Sequence, residues 1–252
     1  MHSVRFTAET SSDGVVERDF LVGEIPGVLW APVTGADHAP IVLLGHNGGM
    51  HRKAPGLRAR ALHTAATWGF TVVAIDAPGH GDRPRTDEDE QARLEIRDAV
   101  TAGDTQRFAA ASTRFMASFA EQAVSEWRAT LDALQALPQI GPDAPVGYGG
   151  GIAMGTAIGV RLTAAEPRIT AAIFGGAVPV DEPVITAARQ ITVPVQFLLP
   201  WDDEHVDRSS GLALFDAFAS AEKTLHANPG DHRTVRWVGL DEAFLPRHLS
   251  RV

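Results

Sequence analysis

Short runs of apolar residues alternate with stretches of helical periodicity from residue 40 to the end of the chain. Continuous apolar runs of this length are typical of strands that are buried on both faces of a parallel sheet. They span residues 40–45, 70–76, 146–150, 169–175, 194–199 and 222–227. Because a helical pattern or a polar loop follows each run, the order predicts βαβ units and a doubly wound, mostly parallel sheet.

The first 32 residues have a different pattern. Residues 4–8, 15–22 and 27–32 are β-rich, partly alternating stretches separated by turn formers such as residues 11–14. This pattern predicts an antiparallel edge on the parallel sheet. The fold class that we expect is therefore α/β, with a single domain over residues 1–252.

Helical patterns occupy residues 57–68, 154–166, 181–190, 209–219 and 241–249. A further long helix is predicted by large apolar side chains that recur at helical spacing, namely Phe108, Phe115, Phe119, Trp127, Leu131 and Leu134. Residues 84–104 are polar and charged, which indicates a surface excursion. The segment 84–120 is thus a candidate for a small helical cap, some of whose aromatic side chains could line a pocket.

The amino-acid composition argues against several classes of function. The chain has 252 residues, a net charge of −9 and no cysteine. An acidic surface argues against non-specific binding to nucleic acid, and the lack of cysteine excludes thiolate metal sites and cysteine nucleophiles. We see no apolar signal region and no 18-residue apolar run, so a cytoplasmic protein without membrane partners is expected.

The stretch Gly151-Ile152-Ala153-Met154-Gly155 has the outline of G-x-S-x-G, the turn that holds a nucleophilic serine between a strand and a helix. Glycines at both ends of this motif let the strand and helix backbones come close together. The central residue is Ala153, which has no side-chain oxygen. The motif therefore provides the frame of a nucleophile elbow without its nucleophile.

Polar clusters follow four of the predicted strands. They are residues 46–51, 153–154, 202–205 and 231–232. In an open parallel sheet the carboxyl ends of the strands meet at one edge, where ligands bind. We therefore expect these four clusters to lie together.

With these motifs in this order, the chain resembles the α/β-hydrolases, and among them the dienelactone-hydrolase-like enzymes and small bacterial esterases. The resemblance extends over essentially the whole chain. It rests on residues 46–49, 76–83 and 151–155, and on Asp203 with His232 downstream. Dienelactone hydrolases differ from this chain in carrying a cysteine nucleophile.

The resemblance implies a role for each site residue. Ala153 would occupy the nucleophile position, Asp203 would be the acid and His232 the general base, with Asp202 as the competing candidate for the acid. The oxyanion hole would use backbone N–H groups of Met154 and of Asn47 or Gly48. The expected activity is hydrolysis of a carboxylic ester or lactone without a cofactor.

We also expect roles for several residues outside the predicted triad and oxyanion hole. Met50, Trp201 and His205 are candidates for the walls of the substrate pocket. His80 is expected to be structural, Arg83 to pair with a carboxylate and Tyr148 to pack within its strand. No helix carries a metal-binding H-x-x-x-H or H-E-x-x-H spacing, so no metal is expected. The partner that we expect is a small ester or lactone, and a homodimer stays open.

Ala153 leaves three interpretations open. The sequence can be a serine-to-alanine variant of an active hydrolase. It can be a natural protein of this fold that binds a ligand without turnover. It can also be an enzyme in which the His–Asp pair acts directly as a base, without a covalent intermediate.

Overall fold

The computed structural model describes residues 2–151, 153–176, 180–204 and 207–250. Within these ranges nine strands form one sheet in the order β1-β2-β3-β5-β4-β6-β7-β8-β9. The strands are β1 (Val4–Ser12), β2 (Val15–Val22), β3 (Ile25–Pro32), β4 (Ile41–Leu43), β5 (Thr71–Ile75), β6 (Val146–Gly149), β7 (Ile169–Gly175), β8 (Val195–Pro200) and β9 (Lys223–Asn228). Strands β1, β2, β3 and β5 pair antiparallel, and all the pairs from β5 to β9 are parallel. The predicted α/β-hydrolase fold, with its N-terminal antiparallel edge, is confirmed.

Helices cover both faces of this sheet. They are α1 (Pro55–Trp68), α2 (Asp87–Thr101), α3 (Thr105–Gln135), α4 (Met154–Ala165), α5 (Glu182–Ala188), α6 (Arg208–Ala217) and α7 (Phe244–Leu249). Side chains on β4 alternate between two apolar clusters: Ile41 and Leu43 belong to one, and Val42 and Leu44 to the other. The first cluster is covered by α3, α4, α5 and α6, and the second by α1 and α7.

The segment 84–104 is more regular than the sequence analysis predicted. Its acidic beginning is the first turn of α2, a helix of 15 residues. The hydroxyl of Thr86 accepts the backbone N–H of Asp89, and the Asp89 carboxylate accepts the backbone N–H of Thr86. This capping box and the four acids of the first turn stabilise the helix N-terminus. Helix α2 packs against α3, so the segment 84–120 that was predicted as a cap consists of α2 and the first half of α3.

Each parallel strand ends at the same edge of the sheet. The loops that follow β4, β6, β8 and β9 therefore converge there, and they carry the polar clusters at residues 46–51, 153–154, 202–204 and 231–232. The fold thus brings together segments that are separated by up to about 190 residues in the chain.

Candidate active site

The turn between β6 and α4 has the strained backbone of a nucleophile elbow. Ala153 precedes the first residue of α4 and has φ 53° and ψ −118°. Residues with a Cβ atom rarely adopt a positive φ. Such strained backbone positions cluster at functional sites. The residue at the centre of the sequence motif therefore has the strained backbone that is expected of a nucleophile elbow.

The two glycines of the motif allow close backbone contacts. A Cβ on Gly155 would lie 3.2 Å from the backbone carbonyl of Gly45, and one on Gly151 would lie 2.6 Å from Oδ1 of Asn47. The Tyr148 hydroxyl donates to the Gly155 carbonyl at 2.5 Å, and Tyr148 is fully buried. Tyr148 therefore holds the elbow from within the sheet, in agreement with a packing role.

His232 and Asp203 are in direct contact. The Nδ1 atom of His232 lies 2.6 Å from Oδ2 of Asp203, and the same oxygen accepts the backbone N–H of His232 at 2.9 Å. The Asp203 side chain is 3% exposed, whereas that of His232 is 24% exposed. The ring of His232 therefore faces the carboxylate through Nδ1, the arrangement that a His–Asp pair has in a catalytic triad.

Asp202 has a different contact. Its Oδ2 atom accepts the backbone N–H of Gly230 at 3.0 Å, and its side chain is 57% exposed. Asp202 therefore ties the loop after β8 to the loop after β9. Of the two candidate acids, Asp203 is the one whose carboxylate contacts the His232 ring.

The loop after β4 lies beside the elbow, and the buried His46 fixes its position. Nε2 of His46 accepts the backbone N–H of Ala77 at 3.0 Å, so Nδ1 carries the proton that is donated to the Asn47 carbonyl at 2.9 Å. Burial lowers the pKa of His46, which favours this neutral tautomer. The sequence analysis did not predict this role, because it depends on a contact with the loop after β5.

The backbone N–H groups expected in an oxyanion hole lie beside the elbow. Within the described residues, the N–H groups of Asn47, Gly48 and Met154 have no acceptor. All three residues line the same cavity as Ala153 and His232. Donors near the elbow without an acceptor among the described residues are suited to a developing oxyanion.

The cavity above Ala153 has a volume of about 550 Å³. Its walls come from the loop after β4, the elbow, the loop bearing His232, and the cap helices α2 and α3. A second cavity of about 330 Å³ shares Asn47, Met50 and His232 with the first and extends towards α1. The candidate pocket residue Met50 is 46% exposed and lines both cavities.

Trp201 is not among the described residues that line either cavity. Trp201 follows the last residue of β8 and lines a shallow groove on the surface, where the guanidinium of Arg208 stacks on its ring at 4.0 Å. The expectation that Trp201 lines the substrate pocket therefore disagrees with its position, because the chain turns outward after Pro200. His205 lies outside the described residues.

Several cavity residues were missed by the sequence analysis. They are Arg93, Ile96, Arg97, Val100, Ser112, Met116 and Arg233. The signal was present for α2, since Arg93, Ile96, Arg97 and Val100 have the spacing of one helix face. The sequence does not show in which direction that face of the helix points in the fold.

Two residues of the loop after β5 have structural contacts. His80 is fully buried among His46, Phe115 and Phe119, and its Nδ1 contacts the Pro78 carbonyl at 2.8 Å. Burial lowers its pKa to about 4. Arg83 forms a bidentate ion pair with Glu126 of α3. Both expectations for this loop agree with the structure.

The described residues contain no group of three or more His, Cys, Asp or Glu side chains arranged to hold a metal ion. In the same residues, none of the helices is long and apolar enough to cross a membrane.

The fold, the strained elbow and the neighbouring His–Asp pair define a protein of the α/β-hydrolase fold. The chain is 32% identical to a cold-adapted esterase from an Arctic intertidal metagenomic library, whose structure was solved as a polyethylene-glycol-bound complex. The alignment covers 98% of this chain and 100% of that one, with a TM-score of 0.76. The chain belongs to the same family as that esterase.

More distant structures share the fold. Acetyl xylan esterase 1 from Thermoanaerobacterium sp. JW/SL YS485 is 13% identical over 99% of this chain and 87% of its own, with a TM-score of 0.63. The Pyrococcus furiosus esterase Pf2001 is 13% identical over 99% of this chain and 92% of its own, also with a TM-score of 0.63. No family model matches the sequence, and no curated protein matches it.

Proposed function

We propose that this site belongs to a carboxylic ester hydrolase with a Ser-His-Asp mechanism, in which alanine replaces the nucleophile in this sequence. The observation that carries the proposal is that Ala153, on a strained elbow, and His232, paired with Asp203, line one cavity. The esterase relative supports an ester as the substrate class. A lactone, as a cyclic ester, would react by the same steps.

In the serine form, Oγ at position 153 would attack the substrate carbonyl while Nε2 of His232 takes its proton. Asp203 would stabilise the imidazolium that forms. The N–H groups of Met154 and of Asn47 or Gly48 would bind the negative oxygen of the tetrahedral intermediate. The intermediate would collapse to an acyl-enzyme as His232 returns the proton to the leaving alcohol. Water activated by His232 would then release the acid.

A second function is favoured by Ala153 itself. With no hydroxyl at the elbow, His232 and Asp203 are still paired beside the cavity, so His232 can take a proton from water that attacks the ester directly. A third alternative is a protein that binds an ester or a related ligand without turnover.

One experiment separates these functions. Hydrolysis of 4-nitrophenyl acetate is measured for this chain, for His232→Ala, for Ala153→Ser, and for Ala153→Ser with His232→Ala. The serine hydrolase requires that Ala153→Ser raise kcat by about 10⁵–10⁶ and that His232→Ala remove most of this gain, in line with the loss caused by removing a nucleophile in proteases.

The other outcomes identify the alternatives. Activity of the unchanged chain that disappears in His232→Ala indicates direct base catalysis. If Ala153→Ser is no more active than the unchanged chain, the covalent mechanism is wrong and the binding function is favoured.

A further inference from the structure

Helix α2 turns a face of alternating arginine and apolar residues towards the cavity above Ala153. Arg93, Ile96, Arg97 and Val100 have the i, i+3, i+4, i+7 spacing of one helix face, and all four line the cavity. Two arginines four residues apart on a helix repel each other. The arrangement therefore costs stability unless something negatively charged lies between or near them.

Asp89 and Glu90 of α2 act on Arg93 through their charge, but neither forms an ion pair with it among the described residues. Asp89 closes the capping box with Thr86, and Glu95 contacts Arg114 of α3 at 2.9 Å. Among the described residues, neither Arg93 nor Arg97 has a carboxylate within ion-pair distance. Both arginines thus line the cavity without a paired carboxylate among the described residues.

Arg93 is the better anchored of the two arginines. Its Nη2 donates to the Gly79 carbonyl at 2.9 Å, and its guanidinium lies 5.6 Å from the centre of the Phe115 ring. Its Nε is buried and has no acceptor within the described residues. Burial lowers the pKa of Arg93, and the charges of Glu90 and Asp89 offset this shift only in part.

The cavity as a whole is positively charged. Arg233, which follows His232, is a third arginine in the lining of the cavity. The described lining contains no Asp or Glu, although the chain has a net charge of −9 and many of its other arginines are paired with carboxylates. A cleft lined by one sign of charge focuses the field and concentrates ligands of the opposite sign.

The rest of the lining is mostly apolar. It includes Ile96, Val100, Phe108, Phe115, Met116 and Met154. An apolar body therefore fits the space between the elbow and the arginines of α2. Arginine binds carboxylates in particular, because its planar fork donates two parallel hydrogen bonds.

We propose that the ester bound in this cavity carries a carboxylate at the far end of an apolar chain, and that Arg93 and Arg97 bind this carboxylate. This substrate class, a monoester of a dicarboxylic acid, rests on the proposed function. It goes further in assigning a specificity site to the cap helix.

The test is binding to the unchanged chain, in which Ala153 should leave the ester intact. Isothermal titration calorimetry compares monoethyl and diethyl esters of succinic, adipic and suberic acid. The monoester of at least one chain length should bind about tenfold or more tightly than its diester, and added salt should reduce this preference.

Arginine-to-glutamine variants test which residues bind the carboxylate of the ester. Arg97→Gln should remove most of the preference by weakening the binding of the monoester. Arg97 makes no side-chain hydrogen bond within the described residues, so its removal should leave the fold intact. Arg93→Gln with Arg97→Gln should abolish the preference. Arg107→Gln is the matched control, since Arg107 is an exposed arginine of the same cap that does not line the cavity; it should keep the full preference.

Arg60 is the alternative residue that could bind the carboxylate of the ester. It lines the smaller cavity, and its Nη1 lies 3.3 Å from the Gly150 carbonyl. Loss of the preference in Arg60→Gln with full retention in Arg93→Gln/Arg97→Gln would overturn the assignment to α2. Equal affinities for monoesters and diesters, or no detectable binding of any monoester, would overturn the substrate class.

Failure of this inference can be distinguished from failure of the proposed function. Binding to the Ala153 chain needs no turnover, so a monoester preference that depends on Arg97 supports the site even if Ala153→Ser is inactive. Conversely, an active Ala153→Ser enzyme that hydrolyses neutral and anionic esters with equal kcat/KM keeps the proposed function and overturns the carboxylate site.

Discussion

Nδ1 of His232 lies 2.6 Å from Oδ2 of Asp203, and that oxygen also accepts the backbone N–H of His232. The two bonds fix both the ring and the start of its loop relative to β8. Asp202, one residue earlier, instead accepts the N–H of Gly230. Two adjacent carboxylates therefore have distinct contacts, one with the imidazole and one with the loop that carries it.

This difference predicts unequal effects of two similar substitutions in the Ala153→Ser enzyme. Asp203→Asn should lower kcat by about 10³–10⁴, because an asparagine no longer stabilises the imidazolium or the correct tautomer. Asp202→Asn should lower kcat by less than about tenfold, because its contact is with the backbone. Steady-state kinetics with 4-nitrophenyl acetate provides the comparison, and a larger loss in Asp202→Asn would reverse the assignment of the acid.

Substitution of alanine for an elbow glycine should change the free energy of unfolding differently from the same substitution at a glycine with open space around it. A Cβ on Gly155 would approach the backbone of Gly45 and His46 to 3.2 Å, and backbone atoms cannot move aside cheaply. Gly155→Ala should therefore lower the free energy of unfolding by about 1–3 kcal/mol. Gly56→Ala, in the first turn of α1 with no atom within 4 Å of the new Cβ, should raise it by about 0.5–1 kcal/mol.

Urea denaturation of the two variants and the unchanged chain measures both effects. Equal and small changes in the two variants would show that the contact between the elbow and the loop after β4 is not tight.

The sequence predicted the parts of the site that lie within single motifs. The strained position of Ala153 follows from the glycines on either side of it, and the order of Ala153, Asp203 and His232 along the chain matches the strand ends at which they lie. These features could be found because a strand and the turn after it are encoded locally.

What could not be predicted depends on how separate segments face each other. The spacing of Arg93 and Arg97 marks a helix face, but only the packing of α2 on α3 turns that face towards the elbow. Trp201 follows a parallel strand, as the site residues do, yet the backbone turns it to the surface. The periodicity of apolar residues predicts whether a segment is a helix or a strand. It does not determine how that element is rotated about its own axis in the fold.

The buried His80 should make stability depend on pH in a defined range. Burial holds its pKa at about 4, below its ordinary value of 6.5. Between these values the unfolded chain binds a proton that the folded chain does not. The contribution of His80 is therefore intact above about pH 6.5 and is lost as the pH falls to about 4. The loss should amount to about 3 kcal/mol.

The measurement is the free energy of unfolding at pH 7.5 and pH 4.5 for the unchanged chain and for His80→Leu. The unchanged chain should lose about 2–3 kcal/mol more than the variant across this range. Phe115→Leu, which alters the same cluster without a titrating group, should show the pH dependence of the unchanged chain. Parallel curves for all three proteins would contradict the assignment.

The last prediction concerns strain at the elbow. Ala153 has φ 53° and ψ −118°, a conformation that costs a residue with a Cβ on the order of 1–3 kcal/mol and glycine far less. Ala153→Gly removes this strain, but it also raises the conformational entropy of the unfolded chain, at a cost of about 0.4–1 kcal/mol. The net result should be a gain in stability of about 0.5–2 kcal/mol. Ala157→Gly, four residues later inside α4, has the same entropy cost and no strain to release, so it should lower stability by about 1 kcal/mol or more. Opposite signs for the two substitutions in urea denaturation would show that the surrounding fold holds residue 153 in its strained conformation. That is what a hydrolase needs to present a nucleophile, whichever side chain occupies the position. A loss of stability in both variants would mean that the elbow is relaxed, and it would weaken the case that position 153 is built for a nucleophile.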